Sequence, residues 1–206
     1  MTTRNAIIIG VGPQQGLGAQ LCHGFAAEGL HLYVAGRTAE KIEAVAATIR
    51  AGGGEATAVV ADATAEADVA RLFDTAAASG RPLDLAVYNA GNNMPGKLVD
   101  MEAAYFEQCW RIGCFGGFLF GREAARHMLP QGAGTILFTG ASASMRGKPD
   151  FYAFTAAKGA LRNFMQAMAR DLGPQGIHVA HVVIDGGIHG EKILSRWPQL
   201  VEQRGE

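Results

Sequence analysis

The chain has 206 residues, 49% of them apolar, and a net charge of −1. This suits one α/β domain with a sizeable core and is short for two, and the near-neutral charge excludes the basic field that nucleic acid or an anionic membrane would need. No apolar run approaches the ~20 residues that span a bilayer.

After Met1 the N-terminal stretch to Asn5 is polar and leads straight into a strand, without a signal or transit pattern. Cys22, Cys109 and Cys114 are an odd, unclustered set. The expectation is a cytoplasmic protein without a disulfide framework or a metal site.

The first strand is expected over 6–9, where Ala6-Ile7-Ile8-Ile9 lacks polar alternation, as in a strand buried on both faces. A helix follows over about 16–28, ended by Gly29. Residues 31–35 read as the second strand, and Thr38 as the N-cap of a helix running to about Arg50. After Gly52-Gly53-Gly54 come a third strand over 56–61 and a helix reaching about Ser79. A fourth strand is expected over 83–88, a long helix over 101–128, and a fifth strand over 135–139. A helix over 152–172 and a sixth strand over 177–184 complete the series. Repeated βα units of this length imply parallel strands with right-handed crossovers and helices on both faces. The fold class is therefore α/β, a Rossmann-like doubly wound sheet in the order 3-2-1-4-5-6.

The first strand runs into Gly10-Val11-Gly12-Pro13-Gln14-Gln15-Gly16-Leu17-Gly18. A glycine cluster alone is a flexible turn. Between a buried strand and a helix it can instead take a pyrophosphate, because the backbone approaches closely and the helix N-terminus offers free N–H groups.

The spacing Gly12-x-x-x-Gly16-x-Gly18 resembles the fingerprint of the short-chain dehydrogenase/reductase family, with Val11 where that family usually has Thr. The likeness extends along nearly the whole chain. Asp62 stands where the family has an Asp that contacts adenine. Asn89-Ala90-Gly91 matches its Asn-Asn-Ala-Gly motif, with Tyr88 for the first Asn. Gly134-Thr135-Ile136 opens its fifth strand, and Lys158 matches its active-site lysine. The resemblance implies a nicotinamide dinucleotide held by Gly12, Gln14, Gly16, Leu17, Gly18, Asp62, Asn89, Ala90, Gly91, Lys158 and the backbone of Ile188. It also implies a small-molecule substrate and a homodimer or homotetramer packed through helices 101–128 and 152–172. Gly113, Gly116 and Gly117 would permit close helix approach there, or else kink the helix.

The end of the second strand bears on the choice of cofactor. An acid there would bind ribose hydroxyls and favour NAD. This chain has Gly36 followed by Arg37. A guanidinium can pair with a 2′-phosphate, so NADP is expected over NAD, the alternative being a solvated arginine.

In the family, catalysis rests on Asn, Ser, Tyr and Lys. The Tyr-x-x-x-Lys motif reads Phe154-Thr155-Ala156-Ala157-Lys158 here, and ungapped counting puts Ala141 at the Ser and Gly113 at the Asn. The chain resembles a subgroup that carries Phe for Tyr and keeps the Lys. Phenylalanine cannot donate a proton, and losing a positioned acid typically costs ~10²–10⁴ in rate. Tyr152, Ser142 and His189 are the candidate substitutes, beside a packed or exposed role for each. Tyr152 is two residues from Phe154, so the two do not share a helix face. His178 and His181 read as structural residues of the sixth strand. His23, His31 and His127 have no evident partner.

After the sixth strand the family's Pro-Gly turn is replaced by Ile184-Asp185-Gly186-Gly187-Ile188, which suits a tight turn over the nicotinamide or an ordinary loop. Residues 186–206 read as the start of a substrate-covering segment. The family's seventh strand has no counterpart before Glu206, as expected of a truncated form or an incomplete sequence. Phe151, Phe154, Met94, Met145 and Trp197 suggest an apolar pocket, a core role being the alternative. Two functions remain open. One is an NADP-dependent oxidoreductase with a degenerate catalytic set, and the other a catalytically silent NADP-binding sensor or subunit.

Overall fold

A computed structural model describes residues 3–188 and 191. Six parallel strands form one sheet in the order β3-β2-β1-β4-β5-β6. They are β1 (Asn5–Ile9), β2 (His31–Gly36), β3 (Ala56–Val60), β4 (Leu83–Tyr88), β5 (Gly134–Thr139) and β6 (Ile177–Val182). The helices are α1 (Leu17–Ala27), α2 (Ala39–Ala51), α3 (Glu66–Ala77), α4 (Ala103–Trp110), α5 (Gly116–Met128) and α6 (Tyr152–Leu172).

The sheet is covered on both faces because its central strands are apolar on both. All five residues of β1 are buried. Ala6 and Ile8 join Leu32 and Val34 under α1 and α2, through Cys22, Ile42, Val45 and Ile49. Ile7 and Ile9 point the other way, into a larger core built with Leu72 and Phe73 of α3, Leu119 and Phe120 of α5, and Leu161 and Met165 of α6. Period-two alternation of the strands thus sets which strand residues meet which helix layer, and the right-handed crossovers set which helices form each layer.

The element order follows the sequence reading, and three details differ. Strand six ends at Val182, two residues early. Thr38 does occupy the N-cap of α2, but its side chain makes no capping hydrogen bond. The helix expected over 101–128 begins at Ala103 and is interrupted by a π-helical turn at Arg111–Phe115. The cause is a large residue on the neighbouring strand. Tyr88 is fully buried, and its hydroxyl donates to the Ile112 carbonyl at 2.5 Å. A π turn frees such a carbonyl from the regular ladder.

The glycines of this region pack within the chain. A Cβ on Gly116 would lie 2.4 Å from the Tyr88 hydroxyl, one on Gly113 2.6 Å from the Ala157 Cβ, and one on Gly117 2.4 Å from Leu161 Cδ1. Their smallness lets α5 approach β4 and α6, so it is no sign of a subunit contact. Among the described residues no helix is long and apolar enough to cross a membrane.

Candidate active site

The strand order reverses between β1 and β4, and in a doubly wound sheet the crevice opens at the carboxyl ends of those strands. Gly10 closes β1 there with φ +90°, and a Cβ on it would meet the Ala90 nitrogen at 2.4 Å. Asn89 fastens the two strand ends together, its side-chain amide donating to the Gly10 carbonyl at 3.1 Å. Gly18, on the first turn of α1, packs into the same corner, where a Cβ would lie 2.9 Å from the Gly10 carbonyl oxygen. This corner is tight on the protein side and open on the other, since a Cβ on Gly12 would meet nothing within 4 Å.

The N-terminus of α1 is suited to an anion. Gly16 is its N-cap, no side chain caps it, and the first turn carries no acid. The N–H groups of Leu17 and Gly18 stand in that turn. Gln14 is used differently from the expectation. Its side-chain amide donates to the Ala44 carbonyl at 2.9 Å and to Thr48 Oγ1 at 2.8 Å, and its oxygen faces His23 Nε2 at 3.0 Å. The side chain ties the loop to α1 and α2, which leaves the backbone of Gln14 as what it can offer a ligand.

At the end of β2, Gly36 is buried and Arg37 exposed. Arg37 makes no hydrogen bond or ion pair among the described residues. Gly36 has a steric duty that the sequence did not reveal. A Cβ there would lie 2.4 Å from the Val11 carbonyl oxygen. Asp62, just past β3, accepts on Oδ1 from the Thr64 N–H and the Thr64 hydroxyl, both at 2.8 Å, which fixes the carboxylate at the strand end.

Lys158 occupies the other half of the crevice. It projects from α6, is 4% exposed, and donates from Nζ to the Thr139 carbonyl at 2.7 Å. A Cβ on Gly91 would lie 3.7 Å from that nitrogen, and the Phe154 ring centre is 5.9 Å away. Burial pushes its pKa down from 10.5 to about 8.

This has a consequence for stability. Below pH 8 the folded protein holds a buried ammonium. Between about 8 and 10.5 the folded lysine is neutral while the unfolded one still binds a proton, so stability rises with pH across that window. Lys158→Met is expected to stabilise the cofactor-free protein at pH 7 by about 1–3 kcal/mol, measured by urea denaturation. The gain should shrink by pH 10, and a less stable variant at pH 7 would contradict it.

Of the proposed substitutes for the tyrosine, Ser142 opens a short 3-10 turn (Ser142–Ser144) just past β5. Its N–H donates to the Ile184 carbonyl at 3.1 Å, while its hydroxyl makes no hydrogen bond among the described residues. The neighbouring Ser144 is buried and takes up the turn, its Oγ accepting from the Ala141 N–H at 3.1 Å. Tyr152 is exposed at the first turn of α6, and Phe154 is half-buried on the helix face of Lys158. His189 lies outside the described residues, as does Trp197. Met94 and Met145 are exposed, which does not suit an enclosed apolar pocket.

The chain leaving β6 stays beside the crevice. Gly140 and Ser142 bond to the Val182 and Ile184 carbonyls. Ile188 follows and is exposed, and Glu191 reaches 3.7 Å from Lys41 in the first turn of α2.

The histidines fall into clear groups. His23 meets Gln14, and His31 stacks on Tyr33 and faces Thr57, Glu55 and Arg81 at the opposite end of the sheet. His127 stacks on Phe73. His178 is exposed. His181 was read as structural, but it faces α6 near Lys158. Its ring packs against Gly140, the residue just after β5, a neighbour that only the pairing of β5 with β6 supplies.

A family model described as short chain dehydrogenase matches residues 5–190. A solved short-chain dehydrogenase from Rhodopseudomonas palustris is 37% identical, with a TM-score of 0.85 over 98% of this chain and 93% of that one. A metagenomic short-chain oxidoreductase in complex with NADP is 26% identical, with a TM-score of 0.82 over 87% of this chain and 81% of that one. Gluconate 5-dehydrogenase of Gluconobacter oxydans (strain 621H) is 30% identical over 82% of this chain and 66% of its own length. The chain thus spans about two thirds of the length of curated relatives that it matches.

Proposed function

This chain belongs to the short-chain dehydrogenase family, and from that premise we propose that it is an NADP(H)-dependent oxidoreductase acting at a carbonyl or alcohol carbon, with NAD(H) the poorer cofactor. The observation that carries the preference is Arg37, an exposed guanidinium without a partner among the described residues, directly after a strand end that holds no acid. The NADP found in one solved relative supports the same reading.

The residues present fit the group. The backbone of Gly12, Gln14, Gly16, Leu17 and Gly18 receives the pyrophosphate at the open loop and uncapped helix. Arg37 takes the 2′-phosphate, and Asp62 the adenine. Asn89, Ala90 and Gly91 border the ribose and nicotinamide, and Lys158 holds the nicotinamide ribose. Ile188 offers its backbone to the carboxamide. When bound, the nicotinamide supplies or accepts the hydride.

Phe154 stands where the family's tyrosine carries the proton, so the catalytic set is degenerate. Ser142 and Tyr152 are hydroxyls at the start of the turn after β5 and at the start of α6, and Lys158 is a buried ionisable group between the end of β5 and Gly91. We further propose a homodimer or homotetramer in the cytoplasm, an address that three free thiols suit. Residues 1–206 form one dinucleotide-binding domain, in which the segment from 186 begins a cover over the substrate.

Titration of the protein with NADPH and NADH, followed by quenching of intrinsic fluorescence, tests the cofactor. NADPH is expected to bind at least tenfold more tightly, and equal affinities would overturn the preference. The second reading, a silent NADP-binding sensor or subunit, is favoured by the same Phe154 ring beside Lys158. It predicts tight NADPH binding with no reduction of any carbonyl.

A further inference from the structure

A titratable side chain without a role so far flanks Lys158. His181 stands on β6 in register with Phe138 of β5, on the face that α6 covers. Its ring lies against Gly140, where a Cβ would be 2.0 Å from Cε1 and 2.1 Å from Nε2. Any other residue at 140 would exclude the imidazole. Gly140 follows Thr139, whose carbonyl holds Lys158, so ring and ammonium border the same end of β5. His181 Nε2 is enclosed and has no hydrogen-bond partner among the described residues, although the side chain as a whole is only partly buried. Thr155 Oγ1, one turn before Lys158 on α6, is likewise enclosed and unpartnered. Buried polar atoms are nearly always paired, so the unpaired imidazole nitrogen at this end of β5 points to a working site.

We propose that His181 supplies Lys158 with the proton that a tyrosine provides elsewhere in the family, so that lysine and histidine together are the acid of this site. The inference rests on reading the site as a nicotinamide-dependent carbonyl–alcohol site. With a dihydronicotinamide bound, hydride would form the new C–H bond at the carbonyl carbon and the C=O π pair would move to oxygen. Lys158 Nζ gives that oxygen a proton, which forms O–H and leaves a neutral amine. The amine takes a proton from the imidazolium of His181 through intervening water, since no hydrogen bond joins the two side chains among the described residues, and the imidazole recovers its proton from solvent. Alcohol oxidation runs the same transfers backwards.

Burial, then Lys158, then Arg162 hold the imidazole below its ordinary pKa. A proton on His181 therefore passes downhill to a neutral Lys158. These two cations of α6 are the charged groups acting on the ring among the described residues. The β5 side brings Phe138 and Gly140, and the following turn brings Ser142 and Ser144.

The test joins a titration to kinetics. His181 followed by imidazole NMR is expected to titrate below the ordinary histidine value and to move upward in Lys158→Met. A value that the lysine substitution leaves unmoved overturns the proposal. His181→Gln, with His181→Asn as the alternative if the first fails to fold, is expected to keep NADPH affinity. Both should slow reduction of a panel of aldehydes, ketones and α-diketones by about 10²-fold. Reduction at the wild-type rate with the wild-type pH profile overturns it. Wild-type protein that binds NADPH and reduces nothing in the panel, while Phe154→Tyr does, overturns the proton route and leaves the cofactor reading intact. Wild-type protein that binds no NADPH removes the functional reading itself.

Discussion

Phe154→Tyr is expected to raise carbonyl reduction by about 10²-fold, the lower end of what a positioned acid contributes. Residue 154 lies four positions before Lys158, on the same face of α6, and its ring centre is 5.9 Å from Nζ. A phenol there stands beside a buried cation, which favours the phenolate form and brings its pKa toward the working range. The gain is at the lower end because the wild-type site has Lys158 as an acid of its own. In a His181→Gln background the same substitution should restore the Phe154→Tyr rate, a gain of about 10⁴ within that background. Steady-state kcat on the carbonyl panel checks both. A tyrosine that changes nothing would mean that the reacting oxygen does not approach residue 154, and the family assignment of the catalytic end would fail with it.

The second large effect is expected at Arg37. Arg37→Ala should weaken NADPH binding by about 10- to 100-fold and leave NADH binding nearly unchanged, as expected for charge-assisted bonds of ~1.5–3 kcal/mol to a 2′-phosphate. Arg37→Asp should go further, because it sets a carboxylate against the phosphate. The fluorescence titration used for the wild type measures both. The NADPH effect should diminish at high salt, since Arg37 is exposed and its charge is screened there. Equal losses for the two cofactors would assign Arg37 to the protein's own stability and remove it from the cofactor site.

Much of the architecture could be read from the chain because the relevant signals are local. Ile7-Ile8-Ile9 without polar alternation, Gly29 after a helix and the run of βα units lead to the observed strand order with little ambiguity. The π turn was not legible. It arises from Tyr88, a residue more than twenty positions away in sequence, pressing its hydroxyl on the Ile112 carbonyl. From the sequence, Gly113, Gly116 and Gly117 allow either close helix approach or a kink, since spacing alone does not tell which neighbour a small residue admits.

The candidate site divides along the same line. Gly12, Gly18, Arg37, Asp62, Asn89 and Lys158 all lie at the carboxyl ends of the strands, where a linear motif has its meaning. Gln14 lies there too, but its amide is engaged by Ala44 and Thr48, partners that belong to the next helix. His181 was passed over because its significance depends on Gly140, and that pairing exists only once β5 and β6 lie side by side.

The close approach at Gly36 also limits what this lineage can become. A relative that needed NAD would gain most from an acid at the end of β2, yet the first carbon of any side chain at 36 would collide with the Val11 carbonyl. A single-codon route to the other cofactor is closed at that position unless the glycine-rich loop moves first. Directed evolution toward NADH should therefore collect its early changes at 37 and beyond, or in the loop around Val11, and reach residue 36 late.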